Sequence, residues 1–121
     1  MDNELIEKAK QVINLCFDDK HWLYTVGCAL RTKSGKIFTG VNIDGIHGSC
    51  AEVVALGTAI SNGEKEFDTI VAVYGKDNEQ RIIPPCGNCR QIMYEIDKHI
   101  KVIIDENTVM TIEELLPHAC A

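Results

Sequence analysis

Leu5, Ile6, Ala9, Val12, Ile13 and Cys16 recur at steps of three and four residues, so residues 2–16 carry one apolar helix face. The pattern then changes period. "YTVGCALRT", "KSG" and "KIFTGVNI" read as a strand, a turn at Gly35 and a returning strand. Residues 50–61 return to helical spacing, with Ser49 as the expected cap and "SNG" as the stop. "DTIVAVYG" is an apolar run of strand length. A third helix is expected over 86–97, entered from Pro84-Pro85. "IKVIID" and "VMT" read as two further strands, and "TIEELLP" as a short last helix with Thr111 and Glu114 in capping-box spacing. Strands alternating with helices predict an α/β fold in which helices cover a mostly buried sheet. At 121 residues the chain suits one domain over 1–121, with one core and no repeat or linker.

Composition narrows the function classes. No apolar run reaches the roughly 18 residues needed to span a bilayer. The opening "MDNELIEKAKQ" is polar and acidic, unlike a signal peptide, so a cytoplasmic location is expected and no membrane partner. Net charge is −6 with no Lys/Arg cluster, which argues against a nucleic-acid partner, because phosphate binding needs a basic face. The six cysteines are too few for a disulfide scaffold, and in a reducing compartment clustered cysteines bind metal or react. Cys16 and Cys28 fall on predicted apolar faces and read as core residues, and His21 and His99 as exposed ones.

Cys86 and Cys89 form C-x-x-C at a predicted helix start, where free amides and the helix dipole favour thiolates. Alone, that pair fits zinc, a redox dithiol or two buried cysteines. Cys50 also stands at a helix start, with Glu52 two residues on. Three thiolates leave the fourth position of zinc open, and a carboxylate beside them can take and pass a proton. A redox dithiol needs neither Cys50 nor Glu52.

Cys50-Ala51-Glu52 followed by Pro85-Cys86-Gly87-Asn88-Cys89-Arg90-Gln91 resembles the zinc-dependent cytidine deaminase superfamily. "YTVGCALRTKSGKIFTGVNID" looks like its hairpin and "TIEELLP" like its ending, so the resemblance covers nearly the whole chain. It implies a three-layer α/β/α sandwich with a five-stranded mixed sheet. Zinc is implied between two helix starts, held by Cys50, Cys86 and Cys89. Glu52 is implied as the proton shuttle in hydrolytic loss of ammonia from C4 of a cytosine ring. Homotetramers, or dimers, with sites near subunit boundaries are implied too. A cysteine rather than a histidine as first ligand, in a short acidic chain, favours a free nucleoside over a polymer.

The same resemblance assigns Asn42 and Asp44 to the ribose hydroxyls, and Tyr24 and Ala51 to the substrate. Three thiolates on Zn²⁺ carry net negative charge. Relatives often offset it with an arginine after Cys-Ala-Glu, where this chain has Val53. Arg90 is the remaining cation in the motifs, placed to hydrogen-bond a thiolate. The stretch from Asn42 to Cys50 is short for a nucleoside enzyme. "IFTGVNI", "GSCAEVVALGTA" and "PCGNCRQ" also resemble the sister group of blasticidin-S deaminases. Deamination of a cytosine nucleoside, within pyrimidine salvage, is the expected function, and deamination of a cytosine-containing antibiotic the alternative. A structural zinc module closed by Cys120 or His118 is the third reading. His47, in the loop before Cys50, is a further candidate contact.

Overall fold

The computed structural model describes residues 1–120. Helix α1 (Asn3–Cys16) leads into the hairpin β1 (Val26–Thr32) and β2 (Ile37–Val41), then α2 (Ala51–Ser61) and β3 (Phe67–Tyr74). A 3₁₀ turn (Asp77–Glu79), β4 (Arg81–Ile83), α3 (Gly87–Ile96), β5 (Lys101–Asp105), β6 (Thr108–Thr111) and α4 (Ile112–Leu115) complete it. Five strands run in the order β2-β1-β3-β5-β6, and β3 pairs antiparallel with β1 but parallel with β5, so the sheet is mixed.

Strand β4 is an addition to the expected five. It pairs with Ala72–Tyr74 of β3, while β5 pairs with Thr69–Val71. Since β1 occupies the other edge along its whole length, β4 and β5 share one edge of β3 end to end. A strand of three residues is too short to show a period, and the prolines after it mask it further.

Alternation along the central strands sorts their side chains to two faces. Ala29, Val71, Val73 and Ile103 pack with Leu5, Ile6, Ala9 and Ile13 of α1. Cys28, Leu30, Ile70 and Val102 pack with Ala55 and Leu56 of α2 and Met93 of α3. The result is the three-layer sandwich. Two glycines set the helix–sheet spacing. A Cβ on Gly27 would lie 2.4 Å from Ile13 Cγ1, and one on Gly40 would lie 2.7 Å from the backbone nitrogen of Ala55. Helices therefore sit tight on the hairpin from both sides, and that brings the start of α2 down to the sheet. Cys28 is buried, Cys16 half-buried, and His21 and His99 exposed. Among the described residues no helix is long and apolar enough to cross a membrane.

Candidate active site

Helices α2 and α3 both begin on a cysteine. Cys50 is the N-cap of α2 and Cys86 that of α3, both with extended backbone, and Cys89 follows in the first turn of α3. The expected cap, Ser49, is displaced by one residue. Its backbone is taken by two hydrogen bonds of 2.9 Å with Ile43, which close the loop 43–49. Gly48 is required in that loop, because a Cβ there would lie 2.3 Å from the Ile43 carbonyl oxygen.

The three sulfurs converge. Cys86 Sγ lies 3.4 Å from Cys50 Sγ and 3.5 Å from Cys89 Sγ, and all three fall within 4.8 Å of one another. Tetrahedral zinc with Zn–S near 2.3 Å puts its sulfurs roughly 3.8 Å apart, so the set fits zinc closely. All six cysteines are free thiols. Desolvation pushes the Cys86 thiol up. The backbone N–H of Cys89, hydrogen bonds shared with the other two thiols and the N–H of Asn88 outweigh it, so its pKa falls below the ordinary 9.0. Burial and the bond shared with Cys86 push Cys50 up, and burial with the charge of Glu52 pushes Cys89 far up. Ionisation is thus eased at Cys86 and opposed at Cys50 and Cys89. A cation among them is what lets all three act as thiolates.

Glu52 is 5% exposed, on the first turn of α2. Burial raises its pKa above the usual 4.5, opposed by its own backbone N–H. Its side chain lines a cleft of about 510 Å³ together with Cys50, Ala51, Cys86, Asn42 and Asp44. Val26, Ile83 and Pro84 line it as well. The contribution of Ile83 was not foreseen, because it lies in β4. Among the described residues lining the cleft, Asp44 and Glu52 are the charged side chains besides the thiols, and none is a cation.

Asn42 is committed on one side. Its Oδ1 accepts from the backbone N–H of Val26 at 3.0 Å, which fixes the amide and leaves the Nδ2 donors and one oxygen lone pair for a ligand. Tyr24 and His47 do not line the cleft. Tyr24 stands just before β1, half-buried, with φ of 57°, so the backbone there lies outside the extended run of the strand. Arg90 makes its hydrogen bonds to two carbonyl oxygens, Pro85 at 2.8 Å and Leu115 at 3.0 Å, rather than to a sulfur. Among the described residues neither His118 nor Cys120 joins the sulfur cluster, and the Cys120 carbonyl accepts from Gln91 instead.

Three clustered sulfurs, with Cys50 and Cys86 lining one cleft beside a buried carboxylate, define the class, a zinc-dependent hydrolytic enzyme. Residues 1–105 match the family described as the cytidine and deoxycytidylate deaminase zinc-binding region, and the chain belongs to that family. It is accordingly a zinc-dependent aminohydrolase. A blasticidin-S deaminase of Bacillus cereus is 41% identical, over 96% of this chain and 89% of its own. A cytidine deaminase of Halalkalibacterium halodurans is 36% identical, over 79% of this chain and 76% of its own. The crystal structure of a cytidine deaminase from Burkholderia pseudomallei superposes with a TM-score of 0.81 at 32% identity, covering 99% of each chain.

Proposed function

We propose that this chain is a single-domain enzyme that deaminates a cytosine nucleoside, cytidine or deoxycytidine, to the uracil nucleoside and ammonia. The observation that carries the reading is a three-sulfur cluster, two of whose cysteines, Cys50 and Cys86, line one cleft with a buried carboxylate and a donor–acceptor pair. Cys50, Cys86 and Cys89 would hold the metal. Zinc, when bound, supplies the Lewis acidity that makes water a nucleophile near neutral pH. Glu52 takes the proton of the attacking water on its carboxylate, delivers it to ring N3, and later carries a proton to the departing amine. A C4–O bond forms, the C4–N bond breaks, and ammonia leaves. Burial suits Glu52 to this work by raising its proton affinity. Val26, Ile83, Pro84 and Ala51 give the cleft the apolar lining that a base would pack against. Asn42 Nδ2 donates to a sugar hydroxyl and Asp44 accepts from one.

The charge of the cleft selects further. With two carboxylates and no cation in its lining, it disfavours a 5′-phosphate, so a nucleoside is the substrate rather than a nucleotide. A nucleoside deaminase of this kind would serve pyrimidine salvage in the cytoplasm. Ile43 and Ile46, 53% and 97% exposed beside the cleft, support assembly into a homotetramer, or dimer, that covers them, and sedimentation at varied concentration checks it. The likeness to the B. cereus blasticidin-S deaminase favours a second reading, the antibiotic as substrate.

Ammonia release across cytidine, deoxycytidine, cytidine 5′-monophosphate, free cytosine and blasticidin S tests both. Cytidine and deoxycytidine should be turned over best, and Asp44→Ala should weaken nucleoside use with zinc intact. A preference for blasticidin S of a hundredfold or more in kcat/KM, roughly 2.7 kcal/mol, would install the second reading in place of the first.

A further inference from the structure

Pro84 and Pro85 lead the chain into Cys86. Neither has a backbone N–H, so this approach can be held only through its carbonyl oxygens. Arg90 supplies that hold. Its Nε donates to the Pro85 oxygen at 2.8 Å, on the residue just before the Cys86 ligand. The same guanidinium donates through Nη1 to the oxygen of Leu115, the last residue of α4, at 3.0 Å. Its backbone N–H donates to the Cys86 carbonyl at 3.0 Å, closing the first turn of α3. One residue on, Gln91 Nε2 donates to the Cys120 carbonyl at 2.7 Å. The start of α3 therefore grips the C-terminal segment twice, and one of those grips also holds the metal-binding turn. At its other end α4 is anchored by buried Ile112 and by the Thr111/Glu114 capping box.

We propose that Arg90 is a positioning residue that clamps the Cys86 turn to the C-terminal segment, so that the seating of α4 sets how firmly the metal is retained. The proposal rests on the reading of Cys86 and Cys89 as zinc ligands. It differs from charge compensation in what it asks of the side chain. A compensating charge can be replaced by lysine. A clamp needs two donors fixed in one plane and aimed at two separate oxygens, which a flexible ammonium does not provide.

The test is the rate at which the zinc-loaded protein gives up its metal to a chromogenic chelator, a readout independent of turnover. Arg90→Lys should release zinc roughly tenfold faster or more, the scale of lost ligand-supporting contacts. Thr111→Ala with Glu114→Ala, which loosens α4 at the end far from the sulfurs, should also speed release. That second effect should vanish in the Arg90→Lys background, since both act through one bond. Wild-type release by Arg90→Lys would show that charge suffices and overturn the clamp. An α4 effect of equal size with and without Arg90 would overturn it too. If Arg90→Lys does not fold, the α4 variant decides alone, and unchanged release there ends the proposal. Cys86→Ala separates the underlying reading: full zinc retention in that variant would remove the ligand assignment, and the clamp with it.

Discussion

Helices α1 and α4 begin on oxygen, and helices α2 and α3 begin on sulfur. Asp2 accepts from the N–H of Leu5 at 3.1 Å, and Thr111 accepts from the N–H of Glu114 at 3.3 Å while Glu114 returns the bond. Cys50 and Cys86 occupy the same position with extended backbone and make no side-chain cap bond. Every helix start has unpaired N–H donors and a positive dipole end. In α1 and α4 those donors are spent on holding the helix. In α2 and α3 no capping oxygen takes them, and in α3 the nearby N–H groups of Cys89 and Asn88 favour the ionised form of Cys86 against its burial. One local device serves stability on one pair of helices and metal chemistry on the other.

Converting one kind of start into the other gives the largest expected effect. Cys86→Ser places a good capping oxygen on a backbone already shaped for it, with φ −69° and ψ 169°. The metal-free protein should gain up to about 1 kcal/mol in denaturant unfolding, and the zinc content should collapse. Zinc retained at the wild-type level would mean that the sulfur start of α3 is a cap and not a ligand.

The reciprocal change is smaller and touches only stability. Asp2→Ala should cost about 0.5–2 kcal/mol by the same unfolding measurement and leave zinc content and turnover unchanged. A loss of zinc there would break the division between the two pairs.

Smallest is a pH effect at the start of α1. A hydrogen bond from Arg31 holds the Asp2 carboxyl below its ordinary 3.8, helped by the N–H of Leu5 and opposed by burial. A depressed carboxyl pKa stabilises the fold above the unfolded value, and the gain is lost as pH falls through the folded one. Asp2→Asn keeps a capping oxygen but not the charge. It should be slightly less stable than wild type at pH 7, and the gap should close below pH 3.8. A gap that persisted at low pH would assign it to the cap rather than to the Arg31 pair.

The same contrast explains what could be read along the chain. Leu5, Ile6, Ala9 and Ile13 repeat with the helix and face the sheet together, so α1 was legible from spacing alone. The sulfur starts were legible too, because Cys50, Glu52, Cys86 and Cys89 keep short spacings at the heads of two helices. Ser49 was misread as a cap because a residue type was weighed without its backbone, which pairs with Ile43. Strand β4 escaped for want of length. What stayed hidden at the site depends on contacts across long separations. The Val26 N–H fixes the oxygen of Asn42 sixteen positions away, and Arg90 reaches Leu115 twenty-five positions on. Neither contact has a period or a motif, so the fixed amide of Asn42 and the clamp of Arg90 emerge only from the folded chain.

The central claim is that Glu52, buried at a sulfur-led helix start, moves the protons of a zinc-dependent deamination. Its most direct test compares ammonia release from cytidine by zinc-loaded wild type and Glu52→Gln, with metal content measured on the same samples. Glutamine keeps the size and helix propensity of glutamate but cannot carry the proton. The expected result is full zinc retention with turnover lower by ~10²–10⁴. Turnover close to wild type at matched zinc content would contradict it.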